Sequence, residues 1–448
     1  MTNLSSPRRS AGLARQIGFA VALASGTALL AVPGFTGAAY AQKKKKDDKK
    51  AEAAPAYSKA FVDAYTPIDA ALKVPGANVA SIKPQILALV PLAVSPDEQL
   101  ALGGMMYNAG ISGKDTPLHL QGAELMLGSG KVKAEDAGRF TFTAYQLATE
   151  LKQYDKARSF LQKAIDMNFT SASTTKSDLE LGMAELYFAQ DQHVEGLKFL
   201  SDAIAARKAQ GLAVDEKWYR RGVSIAYTNE VVPQVYDFVL GWVSSYPTPA
   251  NWRDSVNLTR NLNEFEPPVM LDLLRLGKRV GTLKEKNDYI FYIEAADTRR
   301  LPNEVKQVIE EANASGVIAK GSDSWVDEQL KAASGLIAED RAALPVLERD
   351  ANKPAAQLRT VLAAGEAFLS YGEYAKAAGF YERALTMPGA DLNLVLTRLA
   401  IAQIGQGNTD AARANLAKVE GARAPVAMLW SAYAAQQAAA TTAPAAGV

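Results

Sequence analysis

Small residues recur along this chain at a spacing that points to stacked helical hairpins. Ala157, Gly196, Val235, Met270, Val305, Ala377 and Ala412 stand 39, 39, 35, 35, 72 and 35 residues apart, so the long interval holds two units rather than one. Each anchor opens an apolar stripe. In the first clear unit Tyr154, Ala157, Leu161 and Ala164 follow at 3–4–3 spacing, one buried face of an amphipathic helix, and Tyr145, Leu147 and Ala148 belong to the helix before it. Ala184 and Tyr187 precede Gly196, Leu200 and Ala203 in the second unit, and Trp218 and Gly222 precede Val235, Val239 and Trp242 in the third. One hairpin cannot bury its apolar face alone, so units of this kind stack. No strand-like alternation stands out, and the expected fold class is all-α.

The sharpest copy lies near the C-terminus, where Ala364-Gly365, Phe368, Gly372, Tyr374, Ala377, Tyr381, Ala384-Leu385 and Pro388 follow at fixed offsets. This pattern resembles the tetratricopeptide repeat (TPR), a helix–turn–helix unit of about 34 residues. The resemblance spans roughly residues 95–425, strong at 361–420 and fair at 140–245. It implies a TPR-like helical-hairpin solenoid of about nine units, wound as a right-handed superhelix whose first helices line a concave groove. Carried over unit by unit, the groove positions are Phe142 and Gln146, Glu185 and Phe188, then Arg220, Ser224 and Tyr227. Trp252, Thr259, Asn263, Glu294, Asp297 and Glu366 complete them. Aromatics, carboxylates and an arginine in one groove suit an extended peptide. Burial between units is the other reading of each. The lysine and asparagine clamp of chaperone-binding TPR proteins is missing.

The N-terminus reads as an export signal. Arg8, Arg9 and Arg15 precede the apolar run Gly18–Val32, and Ala39-Tyr40-Ala41 fits cleavage after Ala41. The run is short for a membrane span and is followed by Pro33-Gly34. The expected location is periplasmic or secreted. Six lysines and two aspartates fill residues 42–50, and beyond them stand 40 basic and 46 acidic side chains. A mildly acidic body is a poor ligand for nucleic acid, whose phosphates need clustered Lys and Arg. Lys43–Lys50 admits two readings: peripheral attraction to anionic lipid or envelope glycan, or the commoner solvated linker.

The expected organisation is a signal peptide at 1–41, a Lys-rich disordered linker at 42–55, and divergent helical repeats or a cap at 56–138. TPR-like repeats follow at 139–312, a degenerate repeat at 313–356, C-terminal repeats at 357–435 and an Ala/Thr/Pro-rich disordered tail at 436–448.

Little in the chain suggests chemistry. There is no cysteine, and the two histidines, His119 and His193, lie far apart in no metal-ligand spacing. No cofactor or metal is expected. Gly103-Gly104 lacks the lysine and the strand–loop–helix setting of a phosphate cradle. The sequential pairs Glu310-Glu311 and Glu339-Asp340 diverge on a helix and read as solvated faces. The expected function is therefore a non-catalytic scaffold of the cell envelope that binds a protein or peptide. The alternatives are an all-α polysaccharide-active enzyme, with carboxylates converging from non-adjacent helices, and an array that self-associates through an end or the Trp218–Trp252 region.

Overall fold

A computed structural model describes residues 56–442 apart from Pro233. The expected signal peptide, its cleavage site and the Lys-rich linker lie outside the described residues, as do residues 443–448. The chain divides into two compact units, Met1–Leu179 and Glu180–Val448. In the first are α1 (Lys59–Leu72), α2 (Val79–Ala88), the 3-10 turn η1 (Val90–Leu92), α3 (Pro96–Ser112), α4 (Thr116–Gly128), α5 (Ala134–Glu150) and α6 (Tyr154–Asp166). α7 (Lys176–Phe188) leads into the second, with α8 (His193–Ala209), α9 (Glu216–Thr228), α10 (Gln234–Ser245), α11 (Pro249–Asn261), α12 (Pro267–Arg279), α13 (Lys286–Ala296) and α14 (Pro302–Ala314). Then come α15 (Ser324–Ala351), α16 (Leu358–Ser370), α17 (Tyr374–Leu385), α18 (Leu392–Gly405), α19 (Thr409–Leu416), the 3-10 turn η2 (Gly421–Arg423) and α20 (Ala424–Thr442). Among the described residues there is no strand, only an isolated bridge between Ser171 and Thr174. Within each unit successive helices pack on one another, and the fold is an all-α helical solenoid.

The sequence period maps onto one recurring local geometry. Ala157, Gly196, Met270, Val305, Ala377 and Ala412 are each the fourth residue of α6, α8, α12, α14, α17 and α19. Ala157, Val305, Ala377 and Ala412 are fully buried. Five residues before the anchor the chain takes a left-handed turn at Lys152, Asp191, Glu230, Gly372 and Gly407. The same relation holds between Lys114 and His119, which places α3–α4 in the series. Oxygen caps start several helices: Ser95 and Glu98 form a reciprocal capping box on α3, and Asp115, Thr248, Asp323 and Asp391 accept from backbone N–H groups at the starts of α4, α11, α15 and α18.

Close helix approach depends on missing side chains. A Cβ on Gly110 would stand 2.4 Å from the backbone nitrogen of His119, and one on Gly122 would stand 2.3 Å from that of Tyr107. The α3–α4 crossing is thus backbone against backbone. Gly103, unsuited to phosphate in sequence, meets Gly122 and Met126 at this same seam.

The second unit doubles back on itself. α20 packs against α10 and α12 as well as α19, and α18 reaches α12. Gln436 donates to the Val243 carbonyl at 2.8 Å, and the Trp430 indole donates to the Asp272 carbonyl at 2.9 Å. Asn303 on α14 donates to the Ser370 carbonyl at the end of α16. The second helices α10, α12 and α14 therefore turn toward the C-terminal helices.

Two boundaries differ from the sequence expectation. The degenerate repeat at 313–356 is no hairpin: α15 runs unbroken for 28 residues, through Pro345. Lys331–Leu344 is rich in helix formers, and Gly335 alone is too weak a breaker to make a turn. The tail expected from Gln436 begins as helix instead. Alanine favours helix, and Gln436 is pinned by Val243 and Trp252.

Candidate functional site

The residues carried over from the repeat resemblance fall into three groups. Arg220 and Ser224 are exposed one turn apart on α9, and Glu294 is exposed on α13. The Arg220 guanidinium lies 5.7 Å from the Trp242 ring, and Asp254 on α11 is within electrostatic reach of Arg220 and Arg253. Tyr227 is half-buried against the core beside them.

A second group is engaged at the surface. Glu185 takes a two-pronged contact from Arg221, both bonds at 2.6 Å. Asn263 donates to the Tyr236 hydroxyl at 2.6 Å and to the Thr259 carbonyl. In the first unit, Phe142 stacks on Phe169 at 5.1 Å and Gln146 is half-buried one turn away.

The third group is interior. Phe188 is 6% exposed, beneath the Arg221 guanidinium and against the backbone of Gly196. Trp252 is 3% exposed, its indole donating to Gln436 of α20 and its ring edge-on to Tyr433. Of the further positions, Thr259 is fully buried and Glu366 belongs to the charge cluster below.

The first helices of the second unit are laced across their surface by ion pairs. Glu185–Arg221 joins α7 to α9, and Arg253–Glu285 and Arg260–Asp288 join α11 to α13 and its entry. Arg260 also covers the exposed Phe291 ring. This is a polar face with few open aromatics, and α9 carries its exposed arginine.

The unanticipated feature is a buried charge cluster inside the second unit. Asp272 on α12 is fully buried and accepts from Arg275 at 3.0 Å, Arg398 of α18 at 3.3 Å and Arg423 of η2 at 2.7 Å. Glu304 on α14 accepts from Arg275 at 2.8 and 2.6 Å and from the Tyr292 hydroxyl at 2.7 Å. Glu366 on α16 accepts from Arg398 at 2.7 Å and Arg300 at 2.9 Å. Three carboxylates thus face three buried arginines, with the half-exposed Arg300 at the edge. Burial alone would raise the carboxyl of Asp272, but Arg398, Arg275 and Arg423 outweigh it and hold it below the usual range. Burial is likewise overcome at Glu304 by Arg275 and the Tyr292 hydroxyl. These charge-assisted contacts tie α12 to α14, α18 and η2, and α16 to α18.

One sequence signal pointed to it. Arg398 is the single charge in the fourteen residues of α18, and a lone arginine in an apolar helix needs a buried partner. Its partner Asp272 is 126 positions away, beyond any local pattern.

The two histidines have structural places. His193 starts α8 in the turn, 3.9 Å from Asp191. His119 lies edge-to-face on Tyr107 at 4.3 Å. Glu310 pairs with Lys306, and Asp340 accepts from Tyr371. Among the described residues no cluster of His, Cys, Asp and Glu is placed to hold a metal, and no helix is long and apolar enough to cross a membrane.

A scan against protein-family models finds no match for this chain, and a search of curated proteins finds none either.

Proposed function

We propose that this chain is a non-catalytic scaffold of the bacterial cell envelope, built of TPR-like hairpins, exported by its N-terminal signal, and binding a protein or extended peptide on its first-helix face. The observation that carries this reading is the surface around α9, where Arg220 and Ser224 are exposed one turn apart with Tyr227 and Asp254 beside them. An arginine resting on an indole is preorganised for a carboxylate, and a rigid helical support keeps the ordering cost of association small. Trp252 and Phe188 serve packing in this reading, so the anchor positions shift to α9.

The polysaccharide-enzyme alternative asks for carboxylates converging from non-adjacent helices. Asp272, Glu304 and Glu366 do converge, yet all three accept from arginine, and the two on α12 and α14 are buried. Self-association through Trp218 and Trp252 is disfavoured by the burial of both rings.

The test is affinity capture from the envelope fraction with wild type and with an Arg220→Glu/Ser224→Lys variant, both exposed positions that leave the core intact. Recovery of one defined protein by wild type, and its loss with the variant, supports the reading. Equal recovery by both, or none by either, removes α9 as the binding surface.

A further inference from the structure

Three acceptor patterns of the form Asn-x-Ser/Thr occur among the described residues: Asn168-Phe169-Thr170, Asn257-Leu258-Thr259 and Asn313-Ala314-Ser315. The fold separates them. Asn257 lies inside α11, and Thr259 is fully buried. Asn313 is in the last turn of α14 with its Oδ1 atom buried, and the Ser315 hydroxyl donates to the Ala312 carbonyl at 3.1 Å. An enzyme that grips both amide and hydroxyl can reach neither pair without unwinding a helix. Asn168 and Thr170 are both exposed, in the loop between α6 and α7.

Local structure presents this pair outward. Asn168 takes a left-handed φ of 51° just past α6, and the Phe169 nitrogen donates back to the Ala164 carbonyl at 3.0 Å, a pattern that closes a helix. The Phe169 ring turns inward onto Phe142, and a Cβ on Gly138 would stand 2.9 Å from it. With the middle residue anchored, the residues on either side of it meet solvent. The Asn168 Oδ1 atom accepts from Lys176 at 3.2 Å, which leaves the Nδ2 amide open. The Thr170 hydroxyl makes no hydrogen bond within the described residues. The helix cap accounts for a left-handed residue at 168 and places no demand on position 170.

We propose that Asn168 is a glycosylation site, its side-chain amide joined to a saccharide delivered from a polyprenyl diphosphate donor. The Asn168 Nδ2 atom bonds to the anomeric carbon of the donor sugar. The bond from that carbon to the diphosphate oxygen breaks, its electron pair leaves on polyprenyl diphosphate, and Nδ2 releases one proton to solvent. The Thr170 hydroxyl is the handle by which the transferase holds the acceptor. The inference rests on the export proposed above, because such acceptor loops belong to secreted proteins, and not on the α9 surface.

The protein is purified from the cells that naturally produce it, and its peptides and N-terminus are read by tandem mass spectrometry. The peptide carrying Asn168 is expected to bear a saccharide mass on its amide, with Asn257 and Asn313 bare. Among variants made in the same cells, Thr170→Val, similar in shape but without the hydroxyl, is expected to abolish the modification, and Thr170→Ser to retain it. Asn168→Gly removes the acceptor yet accepts the left-handed turn, so the saccharide is lost while helical circular dichroism is unchanged. A bare Asn168 on a chain that has lost its N-terminal signal overturns the inference alone. A bare Asn168 on a chain that keeps the signal overturns it together with the export reading. Wild-type occupancy in Thr170→Val, or a saccharide at Asn257 or Asn313 instead, overturns it as well.

Discussion

His119 illustrates how one side chain inherits its properties from a repeat position. It stands where other hairpins place alanine or glycine, so its ring is pressed between helices and burial lowers its pKa to about 4, with Glu150 opposing weakly. The unfolded chain takes up a proton near pH 6.5, while the native imidazole resists it. Stability is therefore complete above about pH 7 and declines as the pH falls from 6.5 toward 4. Urea unfolding at stepped pH should show this slope, and His119→Gln should flatten it. The facing residue sets a second expectation. Gly110→Ala drives a methyl into the His119 backbone, which cannot yield as a flexible side chain would. A loss of about 3 kcal/mol or more is expected in urea unfolding, and no melting change would show that α3 and α4 are less tightly apposed.

At the level of elements, most hairpins were legible because they repeat a local rule, a left-handed turn five residues before the anchor of the second helix and an apolar stripe after it; the hairpins anchored at Met270 and Val305 lack that turn. α15 was not legible, since an interval of the right length invites two units, and only the lack of a turn signal argues for one helix. Gly335 sits inside that helix with open space where a Cβ would go. Gly335→Ala should therefore stabilise the protein by about 0.5–1 kcal/mol, read as a raised melting temperature. If α15 were instead broken near Gly335, the same change would be neutral or harmful. α20 was hidden for a different reason. Its Ala-rich composition reads as tail until Trp430, Tyr433 and Gln436 meet α10–α12, and those contacts span more than 150 residues of sequence.

Within the second unit the decisive interactions are long-range and charged, and so they escaped any pattern of spacing. Asp272→Asn would leave three buried arginines short of a counter-charge, at an expected cost on the order of 3–5 kcal/mol in denaturant unfolding. A change below 1 kcal/mol would mean that the cluster does not fasten α12 to α18. The same carboxylates govern acid behaviour. Asp272 and Glu304 are held below their ordinary values, so their contribution is whole above about pH 5 and disappears as the pH drops through the depressed native values. Of the positions carried over from the repeat register, Arg220 and Ser224 are exposed, whereas the interior places of Phe188 and Trp252 depend on neighbours that the register does not specify.

The return of α20 to α10 and α12 also bears on how such a chain can change over generations. An open stack tolerates the gain or loss of a hairpin, because each unit touches only its neighbours. Here an added hairpin between α12 and α18 would displace Arg398 from Asp272 by about 10 Å or more, the width of a packed helix, and strand both charges in the interior. The number of hairpins between α12 and α18 is thereby held fixed.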